Sequence, residues 1–255
     1  MSEVIEENLA EYQVAMGHCL GASIVKDAQG LSVATDAPFP MYNGVFRSNF
    51  SESNAAANIQ SIQEQFGQRN VPMVWMLGPS SEPHNLAEHL LASGFRHYED
   101  EPGMYLDLDI MSKDAPVPDG FQLRVVQSDD ELKAWVSVWA FDTQEIVPQL
   151  FDIHRQFRYD DTAPWRYYLG MRHGVPVATS LLFRGKTSAA VHWVVTIPEA
   201  RHQGIGAVMT LAALHDARAE GYQHAILTAS PQGEGIYRRI GFESCCTISK
   251  YTWKP

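Results

Sequence analysis

Basic residues are scarce in this 255-residue chain: 19 lysines and arginines stand against 30 aspartates and glutamates, for a formal net charge of −11. The shortage is local. The first 115 residues carry 16 acidic and 5 basic side chains, whereas the rest carries 14 of each. Such a balance argues against a nucleic-acid partner, which needs a basic face. A cationic acceptor such as an amine gains modestly from the acidic half's field. Cysteine is sparse too. Cys19, Cys245 and Cys246 are too few for a disulfide framework, so a reducing, cytoplasmic setting is expected. The chain has no run of 18 apolar residues, which excludes a transmembrane helix, and no membrane partner is expected. The acidic start MSEVIEENLAEY is wrong for a secretory or mitochondrial leader. Metal spacing is missing: His84 and His89 are five apart, off a common helical face, and no Cys/His set suits zinc. No Gly-x-Ser-x-Gly elbow offers a hydrolase nucleophile.

What is present is a regular plan in two halves. The stretch Lys113-Asp114-Ala115-Pro116-Val117-Pro118-Asp119 is polar with two prolines and predicts a linker over 113–119. After it come a strand (121–126), a helix (129–141) with Ser128 as N-cap, and two strands (165–171, 175–183) joined at His173-Gly174. A strand (189–197), a helix (204–220) stopping at Gly221, a strand (224–229), a helix (234–240) and a last strand (242–253) follow. The pattern predicts a mixed α/β sheet with helices on both sides. The first half offers a helix (2–16), a Gly- and Pro-containing stretch through Pro40, a helix (52–66), a strand (71–77), a helix (85–92) and a strand (103–108). Its ending repeats the order strand, helix, Gly-Phe, strand of residues 224–253, offset by 147 between Gly94-Phe95 and Gly241-Phe242, which reads as a weak internal duplication.

The most pointed motif is VHWVVTIPEARHQGIGA, Val191 to Ala207. An apolar strand ends at Pro198, and a turn with Arg201, Gly204 and Gly206 feeds straight into a helix. That order suits a pyrophosphate held by backbone: glycines allow close approach, and free N–H groups and the positive helix end face the anion. Competing phosphate loops fit worse. A Rossmann fingerprint needs glycine where Met209 stands, and before Gly185-Lys186-Thr187 the first glycine of a P-loop is replaced by Ser180.

With Ile236-Tyr237-Arg238-Arg239-Ile240-Gly241-Phe242 downstream, the chain resembles the GNAT family of acetyl-CoA-dependent N-acyltransferases. The resemblance implies an α/β (α+β) fold with a mostly antiparallel sheet. It places a catalytic domain at 120–255 and, at 1–112, a degenerate GNAT-like companion without the loop and with Leu90 in place of Tyr237. It implies acetyl-CoA as co-substrate, without a metal. Arg201, His202, Gln203, Gly204, Ile205, Gly206 and Ala207 would wrap the pyrophosphate. Backbone groups of Val194, Val195 and Thr196 would pair with the pantetheine arm, with Val194 polarising the thioester carbonyl. Tyr237 would act as general acid on the leaving sulfur. Ser230 stands where the family often has a cofactor-bonding Asn, and Gly233 at a common Ala position.

For a general base the sequence offers His192, two residues before Val194 and therefore on its face in a regular strand. Asp160, Asp161 or no dedicated base are the alternatives. The aromatic segment from Phe151 to Tyr168 could line an acceptor pocket, although core packing explains it as well. Met41-Tyr42-Asn43-Gly44-Val45-Phe46-Arg47 predicts a turn at Asn43-Gly44 and offers Tyr42 and Arg47 to a cleft. The expected activity is direct acetyl transfer to a small-molecule or peptide amine, and a homodimer is allowed for. The alternative is a non-catalytic acyl-CoA sensor or protein-interaction module.

Overall fold

The computed structural model describes residues 1–111 and 114–255; Lys113, the first residue of the expected linker, lies outside them. In chain order the first elements are α1 (Ser2–Cys19), β1 (Ser23–Asp27), β2 (Gly30–Ala34), β3 (Gly44–Phe46), α2 (Ala55–Arg69), β4 (Met73–Leu77), α3 (Leu86–Ala92) and β5 (Arg96–Asp107). Then come β6 (Phe121–Val125), α4 (Asp129–Trp139), α5 (Val147–Arg155), β7 (Trp165–Arg172), β8 (Val175–Arg184) and β9 (Ala189–Thr196). The chain finishes with α6 (Ile205–Ala219), β10 (His224–Thr228), α7 (Glu234–Ile240) and β11 (Glu243–Trp253). Among the described residues no helix is long and apolar enough to cross a membrane.

Two compact units form, and they do not divide the chain at the expected linker. One is Met1–Gly103 together with Cys245–Pro255; the other is Met104–Ser244. The last strand, expected in the second half's sheet, belongs to the first unit, where β11 pairs antiparallel with β4 from Ser249/Leu77 to Trp253/Met73. The physical reason is register: Tyr251 of β11 is buried in the first unit's core, with Trp75, Phe66 and Leu86.

In the first unit the strand order is β1-β2-β3-β4-β11-β5. Burial of Ile5, Leu9, Tyr12 and Met16 at helical spacing gives α1 its inward stripe. α2 ends where Asn70 turns left-handed at φ 53°. The stretch expected to be irregular up to Pro40 holds the antiparallel hairpin β1–β2. Asn43-Gly44 makes no turn. Gly44 starts β3, and the buried Asn43 side chain accepts from the Thr35 N–H (2.7 Å) and donates to the carbonyls of Ala37 (2.8 Å) and Phe39 (3.1 Å). Tyr42 is fully buried and Arg47 pairs with Glu7 of α1 at 3.3 Å, so this cluster is spent on structure.

In the second unit the order is β6-β7-β8-β9-β10, with the C-terminal end of β5 beyond β10. β6 to β9 run antiparallel and β9 pairs parallel with β10. Ser128 caps α4, accepting from the Glu131 N–H at 3.3 Å. α6 is tied to the sheet by charge as well as by its apolar face. Arg166 and Tyr168, two apart on β7, both donate to Asp216 (2.7 and 2.6 Å), and Arg184 of β8 grips Glu220 with two nitrogens (2.6 and 2.7 Å). Burial and the Asp216 carboxylate push the Tyr168 hydroxyl far above the usual phenol range.

Candidate active site

The parallel ladder between β9 and β10 is short. Its registered pairs are Ala189/Ala225 and Ala190/Ile226, and the rest of β9, to Thr196, lies beyond them. Past this point lies a cavity of about 1090 Å³, the size of a site for an extended cofactor-sized ligand. Val194, Val195 and Thr196 form one wall.

The turn after β9 forms the cavity's polar end. His202 and Gly204 both adopt left-handed backbone, φ 60° and 81°, so successive N–H groups converge before α6 begins at Ile205. Gly204 supplies the φ that other residues reach at a cost. Gly206 is packed beside α7: a Cβ there would stand 3.4 Å from the Ile236 side chain, an ordinary contact. Arg201 donates from Nε to the Thr196 carbonyl at 2.9 Å and lies 5.4 Å from the Phe141 ring centre. Of the expected loop residues, Arg201, His202, Gly204, Ile205, Gly206 and Ala207 line the cavity; Gln203 does not.

On the other side, Ser230 and Tyr237 line the cavity too. The Ser230 hydroxyl accepts from the Gly233 N–H at 3.3 Å, closing the turn into α7. The Tyr237 ring lies over Gly233: a Cβ at that position would come within 2.8 Å of Cε2 and 3.3 Å of the hydroxyl oxygen. Glycine instead of alanine at 233 therefore has a steric reason. The phenol is otherwise buried, edge-on to Phe242 at 6.0 Å.

His192 is placed elsewhere. Thr179 pairs with Val195 and Leu181 with His192, so β9 carries one extra residue in this interval. The extra residue is absorbed at Trp193, whose φ is 56°, and the bulge breaks the alternation that put His192 on the face of Val194. His192 does not line the cavity, and its Nε2 is shielded from solvent. The bulge is locked by Thr179, whose hydroxyl donates to the Trp193 carbonyl at 2.8 Å. Asp160 is engaged by Thr162 and then Arg158, whose hydrogen bonds hold its carboxyl down at about 2. Asp161 lies 3.7 Å from Arg166, and neither aspartate lines the cavity. In the aromatic segment, Phe157, Trp165, Tyr167 and Tyr168 are core residues. His154, fully buried against Trp135 and hydrogen-bonded to the Tyr167 hydroxyl at 3.0 Å, is pushed down to about 3 by burial.

Phe141, the segment Asp114–Pro116, Gln232, Ile236 and Arg239 also line the cavity and were not foreseen as site residues. Ile236 and Arg239 flank Tyr237 at helical spacing, which was the one available signal.

The first unit repeats the arrangement up to the opening and then closes it. β3 pairs parallel with β4 at Gly44/Val74 and Val45/Trp75. Beyond, the Glu82 N–H donates to the Ser48 carbonyl (2.8 Å) and the Phe50 N–H to the Glu82 carbonyl (3.1 Å). The gap that opens as a cavity in the second unit is zipped here, and Leu90, at the place of Tyr237, is fully buried in apolar core.

A parallel strand pair that parts over a glycine-containing loop, with a tyrosine across the opening, defines the class of α/β unit to which the cavity belongs. The model of the Acetyltransferase (GNAT) family matches residues 88–242, more than half the chain, and the chain belongs to that family. No curated protein matches it. Among solved structures, a GCN5-related N-acetyltransferase from Kribbella flavida is similar at 21% identity, with 96% of this chain and 95% of that one covered and a TM-score of 0.72. A functionally unknown conserved protein from Staphylococcus epidermidis is 11% identical, covering 92% and 95%, with a TM-score of 0.71. A tandem GNAT protein from the clavulanic acid biosynthesis pathway is 13% identical, covering 97% and 95%, with a TM-score of 0.64.

Proposed function

We propose that the chain transfers an acetyl group from acetyl-CoA to an amine by direct attack in a ternary complex, at a single coenzyme site in the unit Met104–Ser244. The observation that carries this reading is one cavity walled by the β9 end, the left-handed loop and Tyr237. The loop N–H groups and Arg201 hold the pyrophosphate. The Val194 N–H donates to the thioester carbonyl oxygen as negative charge develops there. The amine nitrogen forms its bond to the carbonyl carbon and gives up a proton to a solvent water, the carbon–sulfur bond breaks, and the Tyr237 hydroxyl gives its proton to the departing sulfur and regains one from solvent. The first unit is read as a degenerate, acidic copy of the fold without its own coenzyme grip, and its charge favours a cationic acceptor.

Calorimetric titration with acetyl-CoA tests the coenzyme site. Micromolar-range binding is expected for the wild type, with loss in Gly204→Glu, which puts a carboxylate in the loop and a side chain at φ 81°. A wild type that does not bind refutes the reading. Amine screening then tests the chemistry, with Tyr237→Phe expected to lower turnover by roughly a hundredfold at unchanged coenzyme affinity. A second reading, a non-catalytic acyl-CoA sensor, is favoured by the position of His192 off the cavity wall. Tight acetyl-CoA binding with no turnover across the amine panel would select it.

A further inference from the structure

Arg238 and Arg239 are adjacent on α7 and differently employed. The Arg238 guanidinium is neutralised by Glu234 at 2.6 Å and reaches the Ser244 hydroxyl at 3.0 Å. Arg239 faces the coenzyme cavity, and among the described residues it has no carboxylate or hydrogen-bond partner. Its Nη1 lies 3.6 Å from where a Cβ on Gly235 would sit, so the guanidinium folds back along α7 over a residue with no side chain. A cation in a last helical turn also complements the helix dipole, but Arg238 already fills that role.

The loop and Arg201 account for two of the three phosphate groups of coenzyme A. Ile236 packs beside the Gly206 turn of α6, and Arg239 comes one helical turn further along the same wall. We propose that Arg239 binds the ribose 3′-phosphate, so that the protein discriminates coenzyme A from dephospho-coenzyme A. The inference rests on the coenzyme reading above. A planar guanidinium grips a terminal phosphate with two N–H groups, and a dianion at a partly open site gives it full charge to work against.

The test is calorimetric titration of the full chain with coenzyme A and with dephospho-coenzyme A, and it needs no acceptor. The wild type is expected to prefer coenzyme A by about three- to tenfold, the range of one charge-assisted pair near a surface. In Arg239→Ala the preference falls to none while dephospho-coenzyme A binds as before; Arg239→Lys keeps part of it, and Arg238→Ala keeps it all. Equal wild-type affinity for the two ligands would overturn the inference and leave the coenzyme site standing. So would an Arg239→Ala variant that weakens both ligands by one factor, since Arg239 would then serve the pyrophosphate. If the wild type binds neither, the coenzyme reading itself fails and the inference with it.

Discussion

Gly233 and Tyr237 show how much a single missing Cβ decides. Gly233 is right-handed, φ −85°, so alanine there adds no backbone strain and stiffens the unfolded chain. Its Cβ would nonetheless drive the Tyr237 ring aside. Gly233→Ala is therefore expected to keep its melting temperature and bind acetyl-CoA within about twofold of wild type, yet to turn over roughly ten- to a hundredfold more slowly, because a misplaced acid transfers its proton poorly. In a Tyr237→Phe background the same change should add little, and an equal further loss would show that Gly233 acts elsewhere. His192 makes the opposite case. Its Nε2 is shielded and off the cavity wall, so His192→Gln is expected to leave the acid limb of the pH–rate profile in place; a lost limb would restore it as the base. His154 matters to stability instead. Burial holds its pKa at about 3, below the ordinary 6.5, so the unfolded chain binds a proton that the folded one refuses. The stabilisation is whole above about pH 6.5 and falls by up to about 1.4 kcal/mol per pH unit toward pH 3. Denaturant titrations from pH 7 to 4 should show a shallower acid slope in His154→Phe than in wild type.

At the scale of elements, the bulge in β9 governs the site. It carries Val194 round to the cavity wall, and the Trp193 carbonyl accepts from the Thr179 hydroxyl. Thr179 is fully buried, so Thr179→Val should destabilise by about 0.5–1.5 kcal/mol, the net worth of one lost hydrogen bond. Thr179→Ser should recover most of it in the same chemical denaturation series, and a neutral valine variant would mean the bulge needs no lock. The helices with clear stripes and caps, α4, α6 and α7, were legible as sequence, down to Ser128 and Gly221. The hairpin β1–β2, the three-residue β3 and the nine-residue α5 were not. Such short segments carry too few residues for a period to stand out. Asn43-Gly44 is the sharpest example, a turn by composition and a buried staple by context.

The whole molecule exchanges strands between the two halves of its sequence. Cys245–Pro255 completes the first unit, and the second begins at Met104, with Met104, Leu106, Leu108 and Met111 buried in its core. A chain divided at the expected linker would leave 120–255 without those four core residues and with β11 parted from β4. Expressed alone, each piece is expected to lack a cooperative thermal transition and to aggregate through its unpaired strand edge; co-expression should restore a soluble complex. A piece that folds by itself would show that the exchange is dispensable. The zipped gap in the first unit has its own consequence, a calorimetric stoichiometry of one coenzyme per chain rather than two.

Sequence alone determined what is local. The order strand, Arg201 turn, helix and the spacing of Tyr237 from Gly241-Phe242 depend on neighbours along the chain, so the elements around the cavity and the family resemblance were readable from them. The acidic first half and the missing loop at its second helix were equally plain. Only the tertiary structure decided which face His192 takes, why glycine stands at 233, that Arg239 is left without a partner, and which unit owns β11. Most of these depend on contacts between residues far apart in sequence, where one extra residue in a strand reverses its faces; the Gly233–Tyr237 contact is only four residues apart and shows only in where the ring lies.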